Sequence, residues 1–227
     1  MKFIFFVLII SICFSGCGSR LKSLVWNNIS EIADFVVCGE VDDISISLMC
    51  GRREMTYSLD GIATELIPYA IVTAVVPDNT HIENIRCTLF VGVNKYTGEM
   101  VKNPYNDSWV TDIKTAVDYN ENISIDIYLN DNKHSTKLER IDSEWVVSAN
   151  DVIEDILIDK YRDQISCFID DGEFLGEVFV KLINDDKYTR MYYYYVSIQG
   201  VDGSVMSLLV SPKTAEVLAS NMVESVV

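Results

Sequence analysis

From Phe35 onward the chain is cut into short apolar runs rich in β-branched residues, each closed by turn-forming residues. Phe35–Val41 and Ile44–Cys50 are separated by Asp42-Asp43 alone, which reads as a tight hairpin. Ile44, Ser45, Ile46, Ser47 and Leu48 alternate strictly, so one face of that strand is buried and the other wet. Arg52–Leu59 continues the pattern to a turn at Asp60-Gly61. Leu66–Val76 is a longer apolar stretch, and Pro68 restricts it to an edge strand or to a start after the proline. Ile85–Val93 reads as a strand, with Asn94–Gly98 as its turn. Ile123–Leu129 alternates again, and Asn130–Lys133 turns it towards a partner around Thr136–Ile141. Strands at this spacing predict a β-sandwich-like domain over residues 31–145.

The period changes near Ser148. Ile153, Ile156, Leu157, Tyr161, Ile165 and Phe168 fall at steps of three and four, the spacing of an amphipathic helix. Ser148 with Asp151 three residues on has the form of a capping box, and Asp170-Asp171-Gly172 is placed to close the helix. Phe174–Ile183, Met191–Gln199 and Ser204–Val210 then read as a three-stranded antiparallel meander, with turns at Asn184–Lys187 and Gly200–Gly203. Thr214–Ala219 reads either as a final strand or as a short turn of helix. Residues 146–227 are therefore expected to form a second domain, a helix on a small sheet, and the chain as a whole is α+β.

Residues 148–220 resemble the PepSY-like modules of secreted bacterial proteins. The resemblance rests on the capped helix, on the strand pair ending at Asp202-Gly203, and on Ser211-Pro212-Lys213-Thr214-Ala215-Glu216-Val217-Leu218. That last run is similar to the D-x-x-T-G-E-V-L ending of such modules, with Ser211 in place of Asp and Ala215 in place of Gly. The resemblance implies regulation or inhibition of a secreted protease.

The N-terminus reads MKFIFFVLIISICFSGCGSR: a single base, Lys2, then twelve residues from Phe3 to Phe14 that are apolar but for Ser11. Twelve helical residues fall well short of a hydrocarbon core ~30 Å thick, so the pattern is that of a secretory signal. Phe14-Ser15-Gly16-Cys17 resembles a bacterial lipobox. The resemblance implies removal of residues 1–16, lipidation of Cys17, a spacer over residues 17–30 and a protein held at the extracytoplasmic face of the cell membrane. Acyl chains supply membrane affinity at ~0.8 kcal/mol per buried CH₂, and the body then needs no membrane-binding surface of its own.

Acidic residues outnumber basic ones by 34 to 18 over the 227 residues, a formal charge of −16. Phosphate backbones would be repelled, which excludes nucleic acid as a partner for a broad surface. Beyond Cys13 and Cys17, four cysteines remain: Cys38, Cys50, Cys87 and Cys167. They permit three disulfide pairings, but the first three sit inside apolar runs, where free buried thiols are common.

Motifs that carry chemistry do not occur. There is no HExxH, GxSxG, GxxxxGK or GxGxxG, and the two histidines, His81 and His134, lie in polar turn-like stretches. No EF-hand spacing organises the acids into a calcium loop. The reading is therefore of a chain with no catalytic residue, metal site or cofactor. Candidate ligand-binding residues are aromatic and basic. In Tyr192–Tyr195 one pair of alternate tyrosines faces the helix, leaving Tyr193 and Tyr195 for a partner. Arg52, Arg53 and Tyr57 form a second compact group. The expected function is a non-catalytic binding or interaction module at the cell surface, with a protein or cell-wall partner. The alternatives are a carboxylate-dependent cell-wall hydrolase and, from the PepSY-like resemblance, a regulator or inhibitor of a secreted protease.

Overall fold

The computed structural model describes residues 19–55, 63–77, 82–184 and 191–224. The apolar N-terminal run, the lipobox, the Asp60-Gly61 turn, His81 and most of the Asn184–Lys187 turn lie outside the described residues. The fold is β-rich α+β, as the sequence leads one to expect. Helix α1 (residues 19–27) leads into β1 (Ile29–Val41) and β2 (Ile44–Glu54). Next come β3 (Leu66–Val75), β4 (Ile85–Val91), β5 (Asn94–Glu99), β6 (Val101–Lys102), β7 (Ser108–Ile113), β8 (Ile123–Leu129), β9 (Asn132–Lys137) and β10 (Glu139–Arg140). Helix α2 (Ala149–Asp151) widens into a π-helical stretch over Val152–Ile158, and α3 is Arg162–Ser166. The chain ends with β11 (Ile169–Asp170), β12 (Glu173–Phe174), β13 (Gly176–Asn184), β14 (Tyr192–Gly200), β15 (Val205–Val210) and β16 (Val217–Val223). No described helix is long and apolar enough to cross a membrane.

Local turn chemistry sets the hairpins. Asp42 and Asp43 both take positive φ, 48° and 64°, as do Asn130 and Asp131 at 47° and 70°. Two successive left-handed residues match the right-handed twist of paired strands. Pro68 is accommodated because β3 pairs with β7 only from Ala70 onward, so the proline sits beyond the reach of β7. Two expectations are corrected. Asn94–Gly98 is not a turn but most of strand β5; the corner is Gly92-Val93, with Gly92 at φ 55°. The helix does not run to Gly172 but ends at Ser166, and Asp171-Gly172 is the corner of the small β11–β12 hairpin.

One sheet of ten strands runs in the order β16-β15-β14-β13-β1-β2-β3-β7-β6, with β10 also against β1. Its joint is the parallel pairing of β1 with β13, Ile32 beside Val180. Strands from residues 31–145 and from residues 146–227 thus share one sheet. Thr214–Ala219 resolves into a turn and the start of β16, so the C-terminal meander has four strands rather than three. The turn holds Ala215 at φ 59°.

A second sheet, β5-β4-β8-β9, packs against the β1–β3 region. Ile44, Ile46 and Leu48 of β2 and Val72 of β3 meet Ile85, Leu89, Ile125 and Ile127 in the core between the sheets, the sandwich-like arrangement expected from the spacing of the strands, and the strict alternation of β2 puts its isoleucines on the buried face. A separate core forms where the helices cover β13–β15: Val25, Val152, Ile156 and Leu157 meet Val180, Tyr194, Val196 and Leu208. The capping box is present, with the Ser148 amide donating to Asp151 Oδ2 at 2.7 Å and the Asp151 amide donating to Ser148 Oγ at 3.3 Å. It fixes where α2 starts, and hence the pitch of its apolar stripe over the sheet.

Candidate functional site

The alternation of β14 divides its four tyrosines. Tyr192 and Tyr194 are buried, and Tyr194 meets the ring of Trp145 edge-on at 5.8 Å. Tyr193 and Tyr195 face the other way and are half-buried. Tyr195 pairs with Lys181 of β13, whose neighbour Phe179 pairs with Glu31 of β1; Glu31 in turn pairs with Arg53 of β2. One face of the sheet therefore carries residues of both expected groups.

The contacts across that face are continuous. The Lys181 ammonium lies 3.1 Å from Glu31 Oε2 and 5.2 Å from the centre of the Phe179 ring. Tyr69 of β3 donates its hydroxyl to Glu31 Oε1 at 3.3 Å. Burial pushes the Tyr69 hydroxyl pKa well up, Glu31 adds to this, and Arg53 opposes it. The phenol therefore stays neutral and remains a donor. The Arg53 guanidinium stacks over the Tyr69 ring at 4.9 Å and also pairs with Asp112 of β7. Gly51 makes room for this: a Cβ there would lie 2.7 Å from the Tyr69 hydroxyl and 2.5 Å from the Ile32 carbonyl. Two cations and two carboxylates balance along the array, so it has no net charge with which to hold a small ion.

The expected Arg52, Arg53 and Tyr57 group is divided. Arg52 points to the opposite face from Arg53, as successive strand residues must, and pairs with Asp34 at 3.4 Å. Glu54, the next residue, is buried and accepts the Thr64 amide. Tyr57 lies outside the described residues, as does Cys17. Lys181, Glu31, Tyr69 and Asp112 complete the array but are scattered along the chain, and no sequence spacing marks them as neighbours.

The strand edges differ in charge. Of the four strands that end the two sheets, β6 carries Lys102, β5 carries Lys95 and Glu99, and β9 carries Lys133 and Lys137. Charges on an edge discourage pairing with another chain. The fourth, β16, has no charged residue from Val217 to Val223 and is flanked by Glu216 and Glu224. Leu218 and Val223 are about half exposed there, at 50% and 49%.

Among the described residues, the carboxylates with clearly shifted acidity are held down rather than up. Lys213 lowers the Glu144 pKa by hydrogen bond and charge, and Ser148 lowers that of Asp151. Cys38, Cys50 and Cys87 are buried and Cys167 is exposed, and no disulfide joins these four. Among the described residues, no three His, Cys, Asp or Glu side chains cluster as metal ligands would. No protein-family model, curated protein or solved structure matches this chain.

Proposed function

We propose that this protein is a non-catalytic interaction module, held at the extracytoplasmic face of the cell membrane by lipid on Cys17. Its partner is an extended segment that adds to the sheet at β16. The uncharged β16 edge carries the reading. An added strand gains main-chain hydrogen bonds from such an edge, and alternate side chains supply selectivity. Glu216 and Glu224 at the two ends, with the net charge of −16 behind them, favour a segment with basic residues around an apolar centre.

The test is cross-linking of the natively anchored protein in host membranes, followed by mapping of the linked peptides. Contacts between a basic segment and β16, lost in Ser220→Lys, are the expected result. Cross-links that cluster elsewhere, or that survive Ser220→Lys undiminished, overturn the docking assignment. Intact-mass analysis tests the anchor separately: a mature chain without acyl mass, or a Cys17→Ser variant still bound to membranes, removes it.

A further inference from the structure

A cleft of about 260 Å³ opens over the β1–β3 region, and Ile183 and Asn184 of β13 with Tyr192 of β14 form one wall. It draws on no residue of β16, which is separated in the sheet from β14 by β15. Ser45 and Ser47 of β2 and Thr73 of β3 line it, Ser47 and Thr73 being direct cross-strand partners on one face. Tyr192 closes the wall. Its hydroxyl is hydrogen-bonded to the side chains of Ser47, Cys38 and Asn184, which ties the hairpin end to β1 and β2. Burial, reinforced by Cys38, raises the Tyr192 pKa to about 12 against the opposing bonds from Ser47 and Asn184, so the hydroxyl is neutral. The side-chain amides of Asn106 and Asn184 add further donors and acceptors. Met49, Val75 and Ile183 supply an apolar surface beside them.

The lining restricts the ligand. Hydroxyl and carboxamide groups both donate and accept, so they suit a partner that does the same. An anion finds no cation among the lining residues, and Glu40 in the lining, with Asp42 and Asp43 adjoining it, would repel it. A wholly apolar ligand would take water from the Ser45 and Thr73 hydroxyls and offer them no partner in its place, which is costly. The volume lies just under the usual ~300–1,000 Å³ of small-molecule sites, which limits the occupant to about one ring. We infer that this cleft binds a neutral, polyhydroxylated ligand the size of a single sugar ring, with its C–H face on Met49 and Val75 and its hydroxyls on Ser47, Thr73 and Tyr192.

The experiment is saturation-transfer NMR and titration calorimetry on the full chain. The probes are D-glucose and N-acetyl-D-glucosamine, with glucose 6-phosphate as the anionic control. One or both neutral sugars should receive saturation and bind with a dissociation constant of about 10 mM or tighter. Glucose 6-phosphate should bind more weakly than glucose. Thr73→Val keeps the shape of the side chain and removes its hydroxyl; combined with Ser47→Ala it should weaken binding roughly tenfold. If the double variant fails to fold, Thr73→Val alone should still weaken binding measurably. Ser220→Lys, on a strand that does not line the cleft, should leave sugar binding unchanged, so loss of the β16 reading and loss of this one are separable. The inference is overturned if neither sugar receives saturation, if the phosphorylated sugar is preferred, or if binding is indifferent to removal of the Thr73 hydroxyl.

Discussion

Ile32 of β1 and Val180 of β13 lie side by side in parallel register, and both are almost wholly buried. This pairing joins the strands that precede the helices to those that follow them. Because the joint is part of the sheet rather than a linker, the described body should unfold as one unit. Ile32→Ala should cost about 2–5 kcal/mol, the usual range for truncating a buried isoleucine. Far-UV circular dichroism and tryptophan fluorescence should give coincident urea transitions in both wild type and variant. Two separated transitions, with one unmoved by Ile32→Ala, would contradict the shared sheet.

The parallel joint is also where sequence reasoning stops. Hairpins are legible because their signals are local: Asp42-Asp43 and Asn130-Asp131 mark their corners in adjacent residues, and both take the left-handed conformation that such corners need. Strand β5, Asn94–Glu99, is hidden because a polar edge strand has no apolar alternation to announce it. Nothing near Ile32 points to Val180, since parallel pairing is settled by the tertiary fold. The face that carries Arg53 and Tyr195 shows the same division. Period-two alternation is enough to place Tyr193 and Tyr195 on the opposite side from Tyr194. The same rule separates Arg52 from Arg53, so their adjacency in sequence misleads. Glu31, Tyr69, Asp112 and Lys181 join Arg53 and Tyr195 only once the strand order is known.

Helix α2 should carry a pH-dependent contribution through Asp151. Its carboxylate is hydrogen-bonded by the Ser148 side chain and amide, which lowers its pKa in the folded state. A carboxyl group with a depressed folded pKa stabilises above its unfolded value, near 3.9, and that stabilisation is lost as pH falls through the folded value. Asp151→Ala should therefore lower stability by about 1 kcal/mol at pH 7, the usual size of a capping contribution. The difference between wild type and variant should close as the pH is taken below about 4. Thermal unfolding across that range measures it; a difference that persists unchanged at low pH would exclude the capping carboxylate as its source.

Thiol chemistry should distinguish Cys167 from its three counterparts. Burial raises the Cys50 pKa to about 12, with Asp34 adding to it, and raises that of Cys87 to about 11 against a hydrogen bond from the Gly98 backbone. Neither forms appreciable thiolate at pH 8, and neither is open to a reagent. Cys38 is also buried, whereas Cys167 is exposed. Of these four, Cys167 alone should react quickly with a disulfide reagent on the native protein, and the other three should follow on adding denaturant. A second rapid equivalent, or a protected Cys167, would contradict the burial pattern.

Ala215 sits in the turn before β16 at φ 59°, where a β-carbon crowds the following carbonyl. Its amide still donates to the Ser211 carbonyl at 2.9 Å, so the conformation is held by the turn itself. Ala215→Gly removes the crowding but gives the unfolded chain more freedom, and the two effects oppose each other. The crowding, at roughly 1–2 kcal/mol, is the larger. The variant should therefore be more stable than wild type, by about 0.5 kcal/mol or more. A shift of the urea midpoint to lower concentration would show that Ala215 is not under strain.

Arg52 and Arg53 are adjacent and carry the same charge, yet they should respond differently to truncation. Arg52 pairs with Asp34 at 3.4 Å, and both side chains are substantially exposed. Such pairs are worth about 0–1 kcal/mol, so Arg52→Ala should move stability by no more than about 0.5 kcal/mol. Arg53 lies over the buried Tyr69 ring and pairs with Asp112, which leaves it less exposed than Arg52. Its loss removes a cation from an aromatic face and packing from its stem, at about 1–2 kcal/mol. It also removes the positive charge that opposes Glu31 in raising the Tyr69 pKa, so that hydroxyl should become harder still to ionise. Urea denaturation of the two variants, run in parallel at low and high salt, separates these cases. Equal losses in the two, or a larger loss for Arg52→Ala, would show that the array centred on Tyr69 does not hold Arg53 as the geometry requires.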